Sequence, residues 1–239
     1  MGAIELTRAF LGRSKRNLHV CLVDRGYPPR KKLGLDGIHQ LGHRGYVGRD
    51  WESGGLFQYP FMLSKGLKPS DVLCDIGCGS LRGGQHFIKY LDKGHYLGLE
   101  AEERLVELGL EHEVGNEIAS DKLPEFVITS EFEFHRFSRS PSFAVAISLF
   151  SHLTEGDIQR CLTKLASIVS GSCIFFATFN EVGKPARNYK CSHAHLAFWY
   201  TRGQMGEFGR NTGWESTYIG GWGNPTVRQR MMQYSIEPG

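Results

Sequence analysis

The residues with the plainest chemical meaning are two carboxylates set around a pair of glycines. Asp75-Ile76-Gly77-Cys78-Gly79 follows an apolar run, Val72-Leu73-Cys74, and precedes a segment of helical spacing. Gly77 and Gly79 let the backbone approach a ligand where a Cβ would clash. The amides that open the following helix face the same place. A dinucleotide fingerprint needs its third glycine at the sixth position, but Arg82 stands there, with Gly83 and Gly84 just after. Asp75, one residue ahead of the first glycine pair, sits badly beside a pyrophosphate and suits a positively charged group, such as the amino group of a methionine moiety. Twenty-five residues after Asp75, Glu100 ends a second apolar run, Tyr96-Leu97-Gly98-Leu99. A carboxylate there can accept from both hydroxyls of a ribose.

Histidines supply the candidates for proton transfer. His152 comes just after a fourth apolar run, Phe143–Phe150, and imidazole is the commonest general base. The competing reading has His152 capping or packing beneath the next helix. Cys191-Ser192-His193-Ala194-His195 puts alternate side chains on one face if extended. Cys and His are zinc ligands, yet this spacing is not a common zinc signature and no fourth ligand is evident. We therefore expect no metal and read the segment as a substrate loop, with His193 or His195 as the next candidate bases.

The elements that must hold these groups alternate. Strands are expected at Asp71–Ile76, His95–Glu100, Phe126–Thr129, Phe143–Phe150 and Ser172–Phe179. Helices are expected at residues 57–66, Leu81–Leu91, Ala101–Val114 and Thr154–Val169, the last with Thr154 as N-cap and Asp157 three positions on. This rhythm implies a parallel sheet with helices on both faces, and near-continuous apolar strands such as Phe143–Ile147 imply burial on both sides. After Asn180 the rhythm breaks into a loop or insertion at 181–200. A helix at Thr201–Arg210 follows, then a closing pair of strands, Trp214–Ile219 and Arg230–Ile236, which Trp214, Trp222 and Tyr234 are expected to pack. Upstream, residues 3–12 read as a short helix and 18–23 as a strand or helical turn, while the Gly- and Pro-rich 24–56 read as irregular.

Composition narrows the classes. The chain has 239 residues, 41% hydrophobic and 22% charged, enough for one large α/β domain. No run of 18 apolar residues suggests a membrane span, and the N-terminus lacks the apolar stretch of a signal peptide. Six dispersed cysteines, two of them within apolar runs, fit a reduced, cytoplasmic setting. The net charge of +3 does not demand a nucleic-acid partner. The first 32 residues are more basic, with eight Lys and Arg against two acids, a net +6. That arm is either a solvated face or a dock for an anionic substrate or RNA.

The acids, glycines and element order together resemble the class I S-adenosylmethionine (SAM)-dependent methyltransferases, over roughly residues 55–237. The likeness is nearest to bacterial enzymes acting on small molecules or sugars. Those share the run Asp75-Ile76-Gly77-Cys78-Gly79-Ser80-Leu81-Arg82-Gly83-Gly84, the strand Tyr96-x-Gly98-x-Glu100, and the stretch Ser148-Leu149-Phe150-Ser151-His152-Leu153. Where such enzymes often begin the fourth strand with Phe-Asp, this chain has Phe143-Ala144. The resemblance implies a Rossmann-like, mostly parallel seven-stranded sheet with helices on both faces and an antiparallel closing strand. It implies SAM as cofactor, touched by Asp75, Ile76, Gly77, Cys78, Gly79, Arg82, Glu100, Ala101, Ser148 and Leu149. It places the adenine after the third strand, where Phe132 or Phe134 would cover it and Glu133 would accept from its amino group. A Tyr46-Val47-Gly48 run would help close the pocket, making Tyr46 and Gln58 further cofactor-side candidates. The expected organisation is an arm or lid at 1–56 and a catalytic domain at 57–239. The expected reaction is methyl transfer to a small-molecule hydroxyl, on a sugar or secondary metabolite. The alternatives are an RNA methyltransferase using the basic arm, or a non-catalytic SAM-binding protein.

Overall fold

Short runs rich in β-branched and aromatic residues build the sheet, and their apolar residues alternate between its two faces. In the computed structural model, residues 33–48, 51–224 and 228–237 are described. The segments expected at 3–12 and 18–23, and the whole of the basic arm at 1–32, lie outside them. Strands β1 (Leu73–Ile76), β2 (Tyr96–Glu100), β3 (Glu125–Ile128), β4 (Phe143–Ala146) and β5 (Cys173–Glu181) run parallel to one another. A two-residue strand, β6 (Trp199–Tyr200), pairs with the end of β5. Strand β7 (Glu215–Gly220) and the closing strand β8 (Arg230–Ile236) pair antiparallel, and β8 is also antiparallel to β5. The sheet order is β3-β2-β1-β4-β5-β8-β7, the Rossmann-like arrangement with its one antiparallel strand.

Helices cover both faces. Cys74, Ile76, Leu97, Leu99, Ala144 and Ala146 face one side, where α6 (Glu155–Ala166) and α7 (Arg202–Arg210) pack. Leu73, Tyr96, Phe143 and Val145 face the other, under α2 (Trp51–Ser64), α3 (Gly84–Tyr90) and α4 (Glu103–Gly109). The α6 N-cap forms as its sequence implies: Thr154 accepts from the Asp157 amide at 3.2 Å and donates to its carboxylate at 3.0 Å. Helix α7 begins in a capping box between Thr201 and Gln204. The closing strands are packed as expected. Trp214 donates to the Leu162 carbonyl at 3.0 Å, the buried Tyr234 hydroxyl donates to Met205, and Trp222 is buried.

Three expectations need correcting. The fourth strand, expected over Phe143–Phe150, ends at Ala146, because Ser148 turns the backbone to φ 61° and a 3₁₀ turn takes Phe150–His152. The stretch 24–56 is not irregular where it is described: α1 (Gly34–Val47) and the first turns of α2 occupy it. Gly34 opens α1 at φ 60°, and Gly42, at φ 69° and ψ 161°, breaks its helical geometry, so two short helical stretches meet there at a kink. The helix expected over Ala101–Val114 is also shorter. It ends at Gly109, runs into a π-helical turn (Leu110–Val114), and is followed past Gly115 by a further helix, α5 (Asn116–Lys122). No helix among the described residues is long and apolar enough to cross a membrane.

Candidate functional site

The carboxyl ends of β1, β2 and β4 meet at one edge of the sheet, and the glycine turn after β1 lies in the middle. Gly77 and Gly79 have φ of 70° and 56°, a region that costs an L side chain energy. A Cβ on Gly77 would come within 3.1 Å of the Leu149 side chain, and one on Gly79 within 3.0 Å of Val47. The turn is therefore walled by Leu149 on the β4 side and by α1 on the other. Three of the four described non-glycine residues with positive φ, Leu81, Phe132 and Ser148, sit in the loops after β1, β3 and β4. Strain of this kind gathers where a binding site fixes the backbone.

Glu100 is held firmly. One carboxylate oxygen accepts from the Gly79 amide at 2.8 Å; the other accepts from Ala101 at 2.8 Å and Glu102 at 3.2 Å. Burial raises its pKa, and the three amides oppose that rise. Asp75 is buried in β1 and accepts from the Tyr96 hydroxyl at 2.8 Å. Burial pushes its carboxyl up to about 7, opposed by the Tyr96 bond and reinforced by Glu100. A buried acid and a half-buried one that feel each other's charge favour a cationic ligand and repel an anionic one. Ile76 and Cys78 are buried on opposite faces of the sheet, and burial holds the Cys78 thiol protonated. The Cys78 amide and that of Gly77 both bind the Leu99 carbonyl, which fixes the turn to β2.

The flanking candidates divide. Gln58, buried in α2, fills the room a Cβ on Gly83 would take. Arg82 lays its guanidinium against Gly48 and Gly54. Tyr46 is buried near Glu100 and Glu102, and its hydroxyl accepts from the Gly34 amide at 3.1 Å. Helix α1 is fastened there from outside: His43 and Arg44 both bind Glu113 of the π-helical turn, at 2.8 and 2.7 Å. Glu133 bonds Arg136 at 3.1 Å and also Thr129, contacts that keep it ionised. Phe132 and Phe134 are buried in the core beside one another.

The histidines come together. The His152 Nδ1 faces the Leu196 carbonyl at 2.8 Å, and the His152 carbonyl accepts the His193 amide at 3.0 Å. Burial lowers the pKa of His152. It also lowers that of His193, helped by the nearness of His152. The His193 Nδ1 accepts from the His195 amide at 3.0 Å. The His195 ring meets the Tyr46 ring edge-on at 5.0 Å, so the loop reaches from His152 across to α1. Among the described residues no group of three or more His, Cys, Asp or Glu gathers as a metal site. Cys74, Cys78, Cys161 and Cys173 are free thiols, whereas Cys191 is disulfide-bonded, which departs from the expected reduced set and takes its thiolate out of any ligand group.

One residue escaped the sequence reading. Gln229, just before β8, accepts from Ser148 Oγ at 3.0 Å and Thr178 Oγ1 at 2.9 Å, and donates to Ser151 Oγ at 2.9 Å. Thr178 Oγ1 accepts the Ser148 amide at 2.7 Å, and Ser151 Oγ donates to the Ser148 carbonyl at 2.9 Å. This closed network holds Ser148 at φ 61° and so aims Leu149 at Gly77.

No protein-family profile and no curated protein matches the sequence. Solved structures do match. The magnesium protoporphyrin IX methyltransferase of Synechocystis, solved with bound SAM, is 14% identical, with 88% of each chain covered and a TM-score of 0.55. DesVI of Streptomyces venezuelae is 16% identical, covering 87% of this chain and 100% of that one, at a TM-score of 0.56. The 1,6-didemethyltoxoflavin-N1-methyltransferase of Burkholderia thailandensis is 16% identical over 78% of each chain, at 0.55. At these identities the likeness establishes the fold: the chain folds as SAM-dependent methyltransferases do.

Proposed function

We propose that the chain is a SAM-dependent methyltransferase that methylates a hydroxyl of a small molecule, a sugar or a secondary metabolite. The observation that carries this reading is the pair of acids across the glycine turn, with Glu100 held by three amides and the buried Asp75 held by Tyr96. Those residues fit the cofactor. Glu100 is already oriented to accept from a ribose diol, Asp75 offers a carboxylate to an ammonium group, and Gly77 and Gly79 admit the ligand's backbone-hugging part. Leu149 borders the same turn, Tyr46 lies near Glu100, and Gln58 packs at Gly83 just beyond. When bound, the cofactor would supply an activated methyl group on a positive sulfur, to which the acceptor oxygen would be presented. The protein must align the two partners and exclude water. His152 takes the acceptor proton. A ring nitrogen that faces a carbonyl carries the hydrogen, so Nδ1–H donates to Leu196 and Nε2 keeps its lone pair. Its lowered pKa keeps that lone pair free at neutral pH. Helix α1 and the loop bearing His193 and His195 form the lid.

Calorimetric titration with SAM and with S-adenosylhomocysteine tests the cofactor. Micromolar binding of both, followed by turnover of a sugar or phenolic hydroxyl, is the expected result. Binding of neither would remove the proposal.

A further inference from the structure

We infer that His193 is a hydrogen-bond donor to the acceptor substrate, and that it selects hydroxyl compounds with a second oxygen beside the reacting one; this rests on the methyltransferase reading above. The argument begins with the loop that carries it. The His193 amide donates to the His152 carbonyl, Phe198 to Ser151 at 2.8 Å, and Thr154 to the Ser192 hydroxyl at 2.8 Å. These bonds stitch residues 192–198 to residues 151–154, so the His193 and His152 rings are carried on one rigid unit.

Their hydrogen bonds give the two rings opposite polarity. His152 faces a carbonyl with Nδ1 and must be protonated there, which leaves Nε2 as an acceptor. His193 receives an amide proton at Nδ1 and must be bare there, which puts its hydrogen on Nε2. His193 is therefore no base in its neutral form. Its Nε2–H is buried and has no partner among the described residues, while the residue as a whole is 6% exposed. Burying such a donor unpaired costs free energy, which a ligand atom able to accept would recover. The loop continues to His195, whose ring meets Tyr46 of the helix that walls the glycine turn, so the donor is carried on a segment that runs from His152 toward that turn. A single hydroxyl oxygen could give its proton to His152 Nε2 and accept from His193 Nε2–H, but that second bond would tie up a lone pair of the attacking oxygen; the two roles are better divided between neighbouring oxygens, as in a vicinal diol, a catechol or a hydroxy acid. A site built this way discriminates against analogues lacking the second oxygen, because the donor is left unpaired.

The test uses the full chain with 15N-labelled histidine. Nitrogen shifts in the ligand-free protein should show His152 as the Nδ1–H tautomer and His193 as the Nε2–H tautomer. An Nδ1–H His193 would overturn the inference. Catechol and phenol are then titrated into the chain saturated with S-adenosylhomocysteine. Catechol should bind more tightly than phenol by about two- to tenfold, the worth of one neutral hydrogen bond. His193→Phe should erase that preference, and His193→Gln, whose amide can donate from a similar place, should keep it. Equal affinity for the two probes in the wild-type chain, no binding of either included, or a preference that survives His193→Phe, would overturn it. Failure of S-adenosylhomocysteine to bind would sink the methyltransferase reading instead, and the tautomers, read without ligand, separate the two failures.

Discussion

If Asp75 receives the cofactor's ammonium group, SAM affinity must depend on pH in a definite way. Burial raises this carboxyl from 3.8 to about 7, against the opposing Tyr96 bond and the charge of Arg82. Only the ionised form attracts a cation, so below about pH 7 each unit costs about tenfold in affinity, or ~1.4 kcal/mol. At pH 6 roughly one molecule in ten is ionised, and Kd should be about tenfold above its plateau. Binding there should also expel close to one proton. The assay is calorimetric titration at pH 6 and 7.5, each in two buffers of different ionisation enthalpy, with Asp75→Asn in parallel to remove contributions from SAM itself. The same group acts on stability with a fixed sign. Its folded pKa lies above its unfolded one, so the native state takes up a proton between about pH 4 and 7, and stability falls as pH rises through that window. A wild-type chain that matches Asp75→Asn at pH 6 in both Kd and proton release would refute the placement of the ammonium group.

Four further outcomes follow from the geometry. Glu100→Ala should weaken SAM binding by ~1–3 kcal/mol, the value of a hydrogen-bonded charge, and unchanged affinity in both this variant and Asp75→Ala would overturn the cofactor placement. His152→Ala should lower turnover by about a hundredfold or more while sparing SAM affinity; full activity would reduce His152 to packing. Gly77→Ala meets a φ of 70° and Leu149 at 3.1 Å, so it should cost ~1–2 kcal/mol in thermal stability and weaken SAM binding as well. Gln229→Ala strips three hydroxyls, two of them buried, of a partner and should cost ~1–3 kcal/mol; a melting temperature equal to wild type would show that the network contributes nothing to stability.

What could be read in the sequence was whatever local chemistry dictates. The apolar run into Asp75-Ile76-Gly77-Cys78-Gly79 declared strand, turn and helix, because glycine in two left-handed positions leaves few other choices. Thr154 followed by Asp157 declared a helix start for the same local reason. Helix α1 was not legible, because its glycines look like breakers and only burial of Ile38 and Tyr46 against the domain makes them tolerable. The helix past Gly115 was missed because a π-helical turn disturbs the period that would have announced it. Contacts across long stretches left no local trace. Tyr46 meets His195, and Ser148 meets Gln229, only after the chain has folded. The tautomers of His152 and His193 belong to the same class, since each depends on a main-chain group brought near by the loop.

The closed circuit of Ser148, Ser151, Thr178 and Gln229 bears on how this protein can vary over generations. Its members bond one another, so a substitution at one leaves its neighbours wanting, and a second substitution next to it has an effect that depends on the first. The loop that aims Leu149 at the glycine turn is thus expected to drift in blocks. Its four side chains, drawn from three distant parts of the chain, are inherited as one character.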